Sequence, residues 1–142
     1  MPISPNPPRI DWITLSVEDL DRASGFYEAM GFGRPKRISD GVLGFELGGG
    51  ATLAISAAKT FSGLIDAGEE SCRPGGVLLS RNVDSASEVR ELIERLQALG
   101  GSLTREMGET PWGTFSGWVL DPDGHPWEIC FNPRLIEHSS ES

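Results

Sequence analysis

Side chains able to do acid–base or metal chemistry are few in this chain and far apart. Glu128 lies in Pro126-Trp127-Glu128-Ile129-Cys130, where strand alternation turns Glu128 and Cys130 to one face and Trp127 and Ile129 to the other. A carboxylate on a sheet face has two readings. It is either a desolvated general base or partner for a cationic group, or a structural acceptor for a neighbouring strand residue. The histidines are His125, beside the turn before Glu128, and His138, close to the end. His125 reads as a solvated turn residue. Cys130 reads as a small core residue, and Cys72 stands far from it in sequence. With the histidines so placed, no Ser-His-Asp arrangement is supported. Gly48-Gly49-Gly50 reads as a hairpin turn and not a phosphate cradle, because no Lys-Ser/Thr and no helix follows it.

Aromatic residues make the other informative set. Trp12 and Trp112, with Phe45, Phe61 and Phe115, are candidates for a wall on which a small organic ligand stacks. Trp127 falls on the opposite strand face from Glu128 and reads as core.

Composition narrows the function classes. The 142 residues suffice for one domain, and 38% hydrophobic with 23% charged residues is a globular balance. Twelve Lys and Arg against 21 Asp and Glu give a net charge of −9, which repels phosphate backbones and argues against nucleic acid. No apolar run approaches a membrane span. The proline-rich start, Met1 to Pro8, reads as an extended lead-in without the apolar core of a signal peptide. Two cysteines cannot build a disulfide framework, so a reduced, cytoplasmic setting is expected.

The elements that must position these residues follow one order twice. Ile10 to Val17 alternates as a strand, and Leu20, Ala23, Phe26, Tyr27 and Met30 fall at helical spacing up to Gly31 and Gly33. Strands are expected at 34–38, 42–47 and 52–56. Residues 58–75 read as a linker with one short helical turn. The second half gives a strand at 77–83 and a helix opened by a Ser85/Glu88 capping box. Strands at 102–106, 114–120 and 126–131 then follow, with Asp121-Pro122-Asp123-Gly124 as a hairpin turn. The fold class is therefore α+β, two βαβββ modules at about 9–57 and 76–133, with a polar tail at 134–142. Neither half is large enough to bury its sheet alone, so the two must share a core.

Alternation also assigns the sheet faces. The helix-covered face takes Ile13, Leu15, Val17, Leu53, Ile55, Val77, Leu79, Ile129 and Phe131. The other takes Trp12, Thr14, Ser16, Thr52, Ala54, Ser56, Leu78, Ser80 and Glu128. That second face is mixed aromatic and polar, a composition suited to the wall of a ligand cleft.

Ile10 to Tyr27, reading I-D-W-I-T-L-S-V-E-D-L-D-R-A-S-G-F-Y, resembles the opening of the vicinal oxygen chelate superfamily, and Asp121 to Glu128, D-P-D-G-H-P-W-E, resembles its last hairpin. That superfamily includes glyoxalase I, extradiol dioxygenases and bleomycin-resistance proteins. The resemblance covers roughly residues 9 to 133 and implies paired modules whose curled sheets enclose one cleft. In the family's enzymes it also implies a divalent metal held by one His or Glu from each of four strands. Those four positions fall here on Trp12, Ala54, Leu78 and Glu128. An indole N–H is a donor only, and alanine and leucine offer no ligand atom, so no metal site is expected and no cofactor.

The reading that follows is a metal-free small-molecule binder of the resistance type. Its ligand-binding residues are Trp12, Thr14, Phe45, Ala54, Ser56, Phe61, Leu78, Ser80, Trp112, Phe115 and Glu128. The alternatives are a glyoxalase-like lyase, isomerase or dioxygenase with an atypical divalent metal shell, or a metal-free isomerase using Glu128 as catalytic base. The resemblance further implies a homodimer.

Overall fold

Alternating apolar residues in Trp-Ile-Thr-Leu-Ser-Val build the first strand, β1 (Trp12–Val17), whose covered face meets the first helix, α1 (Leu20–Tyr27). Asp19 caps α1, its carboxylate accepting the Arg22 N–H at 3.0 Å. The helix continues as a wide turn, Glu28–Phe32, that Gly31 ends with φ 103°. Strands β2 (Lys36–Ser39), β3 (Val42–Glu46) and β4 (Thr52–Ala57) complete the first module. The second repeats it with β5 (Leu79–Val83), a long helix (Ala86–Ala98), β6 (Ser102–Glu109), β7 (Phe115–Leu120) and β8 (Pro126–Phe131). The computed structural model describes residues 8–134, so His138 and all but the first residue of the polar tail lie outside them.

Each module is a four-stranded mixed sheet, in the orders β1-β4-β3-β2 and β5-β8-β7-β6. β1 pairs parallel with β4 and β5 parallel with β8, while the remaining pairs are antiparallel. These are the two βαβββ modules of the α+β reading.

The capping box before the long helix is present in a shifted form. Ser85 Oγ accepts the Glu88 N–H at 3.1 Å, and Glu88 Oε2 reaches back to the N–H of Asp84 at 2.7 Å, one residue earlier than the motif requires. The strand expected from Val77 begins only at Leu79, because Gly76 turns the chain at φ 77° and leaves Val77 exposed.

Residues 58–75 hold more structure than one helical turn. They form α2 (Ala58–Ile65) and a 3-10 turn (Glu69–Cys72), and both pack back toward β1. The long helix Ala86–Ala98 is α3 in chain order.

One core serves both modules. Phe26, Tyr27, Phe45, Leu53 and Ile55 from the first are buried together with Val89, Ile93, Leu96, Trp127 and Ile129 from the second. The Tyr27 and Trp127 rings lie 5.7 Å apart and those of Phe32 and Trp127 5.8 Å apart, so the aromatic contacts cross the module boundary.

Candidate functional site

The closing hairpin positions one module on the other. Asp121, buried at the end of β7, accepts the N–H groups of Asp123 (2.9 Å) and His125 (2.8 Å) on one carboxylate oxygen and the Tyr27 hydroxyl (2.5 Å) on the other. Tyr27 in turn accepts the Trp127 indole N–H at 3.1 Å. Burial, and then the adjacent Asp121 charge, hold the Tyr27 phenol far above its ordinary range, so it is a permanent donor. Asp123 Oδ1 accepts the Glu18 N–H at 2.8 Å, and His125 Nε2 lies 2.7 Å from the Ser16 carbonyl. His125 is thus a buried residue at the module boundary, contrary to the solvated turn residue expected. The carbonyl needs a donor, and the imidazole supplies it.

Between the modules a crevice of roughly 260 Å³ follows the edge of β1. Its walls include Thr14, Ser16, Leu79 and His125, and Phe61 of α2 with the segment Cys72–Gly75 closes one side. Residues 58–75 therefore cover the crevice as well as connecting the modules. Cys72, Arg73, Pro74, Val77 and Pro126 line it too and were not anticipated. The helical spacing of Phe61, Leu64 and Ile65 was the available signal for α2.

Strand register settles the faces. Trp12 pairs with Thr52 and Thr14 with Ala54, while Ser80 and Trp118 flank Glu128. The mixed face so defined lies opposite α1 and the long helix α3, as alternation required. Trp12 is 48% exposed there and donates its indole N–H to Thr14 Oγ1 at 2.9 Å. Leu78 is 50% exposed just ahead of β5. Glu128 is half-buried and accepts the Ser80 hydroxyl at 3.1 Å. Trp118 stands directly across from Glu128 with the Arg105 guanidinium 4.4 Å above its ring, an aromatic neighbour absent from the expected wall.

Other expected wall residues are elsewhere. Phe45 is fully buried on the helix side, 6.1 Å from the Tyr27 ring, because its register partner is Leu53. Phe115 pairs with Phe131 on that same side and lies 4.6 Å beneath the Arg90 guanidinium of α3. Ala54 and Ser56 face inward but are fully buried and present no surface to a ligand. Trp112 is 59% exposed on the β6–β7 turn, away from the crevice.

The divalent metal implied by the resemblance does not fit these residues. Trp12 offers only an N–H, already given to Thr14; Ala54 and Leu78 offer nothing, and Glu128 is a single carboxylate. His125 is held by Ser16, and among the described residues no three His, Cys, Asp or Glu side chains come together. One carboxylate does not make a divalent-metal centre.

The comparisons agree on the fold. The profile of the Glyoxalase/Bleomycin resistance protein/Dioxygenase superfamily matches residues 9–129. A glyoxalase-related enzyme from Fulvimarina pelagi is 36% identical, with a TM-score of 0.80 and 88% of each chain covered. A family enzyme from Burkholderia phytofirmans PsJN is 23% identical (TM-score 0.72; 85% of this chain and 96% of that one covered). A lactoylglutathione lyase from Agrobacterium tumefaciens is 21% identical (TM-score 0.65; 91% and 97% covered). No curated protein matches the chain. Matched along most of its length by the family profile, the chain belongs to the glyoxalase/bleomycin resistance protein/dioxygenase superfamily.

Proposed function

We propose that this protein binds a small organic ligand along the seam between its modules, without a chelated metal, in the manner of resistance-type sequestration. The observation that carries this reading is the set Trp12, Ala54, Leu78 and Glu128 at the four positions where the resemblance implies metal ligands, of which three hold no ligating atom. A crevice walled mainly by apolar groups, with the hydroxyls of Thr14, Ser16 and Ser71 in its lining, suits capture of an organic molecule. Glu128, half-exposed and engaged among the described residues by Ser80 alone, favours a neutral or cationic group, as does the net charge of −9. Metal-free bleomycin is a suitable first probe, read by tryptophan fluorescence. Saturable quenching, weakened in Glu128→Gln, is the expected result; an unchanged spectrum at high drug concentration contradicts the reading.

A second reading keeps the same face and adds a reaction. The Ser80–Glu128 hydrogen bond orients a carboxylate that could act as base on an acidic C–H of the ligand, and the Fulvimarina pelagi relative is described as an enzyme. Deuterium wash-in at that carbon, lost in Glu128→Gln with folding intact, is its required result. The same proposal takes the chain to be a cytoplasmic homodimer. The exposed apolar residues Ile10, Trp12, Val77 and Leu78 support association, and light scattering tests it. No helix among the described residues is long and apolar enough to cross a membrane.

A further inference from the structure

Alternation puts Arg81 on the covered face of β5, between Leu79 and Val83, where an aliphatic residue is the norm. The chain ends of the wide turn after α1 receive it. Nε donates to the Met30 carbonyl at 3.3 Å, Nη1 donates to the Asn82 carbonyl, and the guanidinium carbon sits 5.9 Å from the Phe32 ring centre. Gly31 makes room: a Cβ there would stand 3.1 Å from Nη2. Nη2 itself has no protein acceptor among the described residues. Nor does any carboxylate oxygen among them come within 4.0 Å of this guanidinium, in a chain with 21 acidic residues.

A partly buried guanidinium is always charged, and leaving it without a counter-ion is costly. Arg81 borders a recess of roughly 650 Å³, at the end of the seam opposite the crevice under Phe61. Ile13 and Leu79 stand between the two spaces and line both. On its other side Arg81 shares a smaller cavity with Asp84, Glu88 and Glu91, none of which pairs with it within 4.0 Å. The walls of the recess are apolar at Phe32, Leu53 and Trp127, with Ser80 and Asn82 as the neutral polar groups. Glu46 on its rim is paired with Lys36 at 2.8 Å, so its charge is already matched.

We propose that this recess is a second binding site, taking a small amphipathic monocarboxylate whose carboxylate is gripped by Arg81 and whose apolar body rests on Phe32 and Trp127. One unpaired cation matches one negative charge, and the planar fork of a guanidinium matches a carboxylate. A phosphate dianion would leave a charge uncompensated against the walls. The site is independent of the ligand reading at the Phe61 crevice.

Calorimetric titration with phenylacetate, phenylacetamide and phenyl phosphate tests it on the whole chain. Phenylacetate should bind about 10-fold more tightly than the isosteric amide, the difference expected of one charge-assisted hydrogen-bond pair. Phenyl phosphate should bind no better than phenylacetate. In Arg81→Gln, checked for folding by thermal melting, acid and amide should bind equally, while Arg90→Gln keeps the preference. Equal binding of acid and amide by the wild type, a preference that survives in Arg81→Gln, a preference for phenyl phosphate, or no binding of either phenyl compound overturns the proposal. Should Arg81→Gln fail to fold, the acid-to-amide ratio of the wild type decides alone. The bleomycin titration, run on the same samples, reports separately on the crevice.

Discussion

Tyr27 gives its hydroxyl hydrogen to Asp121 at 2.5 Å, joining residues 94 positions apart and belonging to different modules. The same oxygen accepts the Trp127 indole N–H, so one phenol holds two buried polar groups of the partner module. Tyr27→Phe leaves one Asp121 carboxylate oxygen and the Trp127 indole N–H unpartnered in the core and should cost about 2–4 kcal/mol of stability. A lowered urea midpoint with an unchanged denaturant slope is the expected signature; a loss too small to resolve contradicts the role given to this contact.

Alkaline pH should reveal the same bond. Burial and Asp121 raise the phenol of the folded chain above its unfolded value, so the associated stability is complete below the unfolded value and declines above it. Above about pH 10 the decline should approach 1.4 kcal/mol per pH unit, a slope that Tyr27→Phe should lack. Tyr27 is the only tyrosine in the chain, so phenolate absorbance reports on it alone. Phenolate should appear only as the protein unfolds, and its appearance in the folded protein near pH 10 would refute the burial argument.

Much of the fold was legible because β1 carries a strong alternation and α1 and the long helix α3 each carry a helical period and a cap. Face assignment held wherever a strand was read in register, as at Leu53, Ile55 and Ile129. Phe45 and Phe115 were put in the ligand wall for being aromatic, although alternation with their partners Leu53 and Phe131 assigns both to the helix side. The candidate site was legible only in part. Trp12, Ser80 and Glu128 could be placed by parity, whereas Leu78 falls ahead of β5 and outside any strand. The role of His125 depends on the carbonyl of Ser16, 109 residues away, and that of Phe61 on how α2 folds back on β1. Such contacts leave no mark in local spacing.

Gly117 fixes the approach of α3 to its sheet. A Cβ there would stand 2.9 Å from Met107 Cγ and 3.1 Å from Ile93 Cγ1, closer than carbon atoms pack. Gly117→Ala should therefore lower stability by about 1–3 kcal/mol through overpacking, measured by chemical denaturation. A neutral or stabilising outcome would mean that the helix can move away at no cost.

Metal content bears most directly on the proposed function. Elemental analysis of chain purified without chelator, followed by calorimetric titration with zinc, nickel and manganese, should find no stoichiometric ion and no site at Glu128, because Trp12, Ala54 and Leu78 supply no ligands. An ion retained in a one-to-one ratio by the wild type, and lost in Glu128→Gln, would contradict the account and make this cleft the centre of a metalloenzyme.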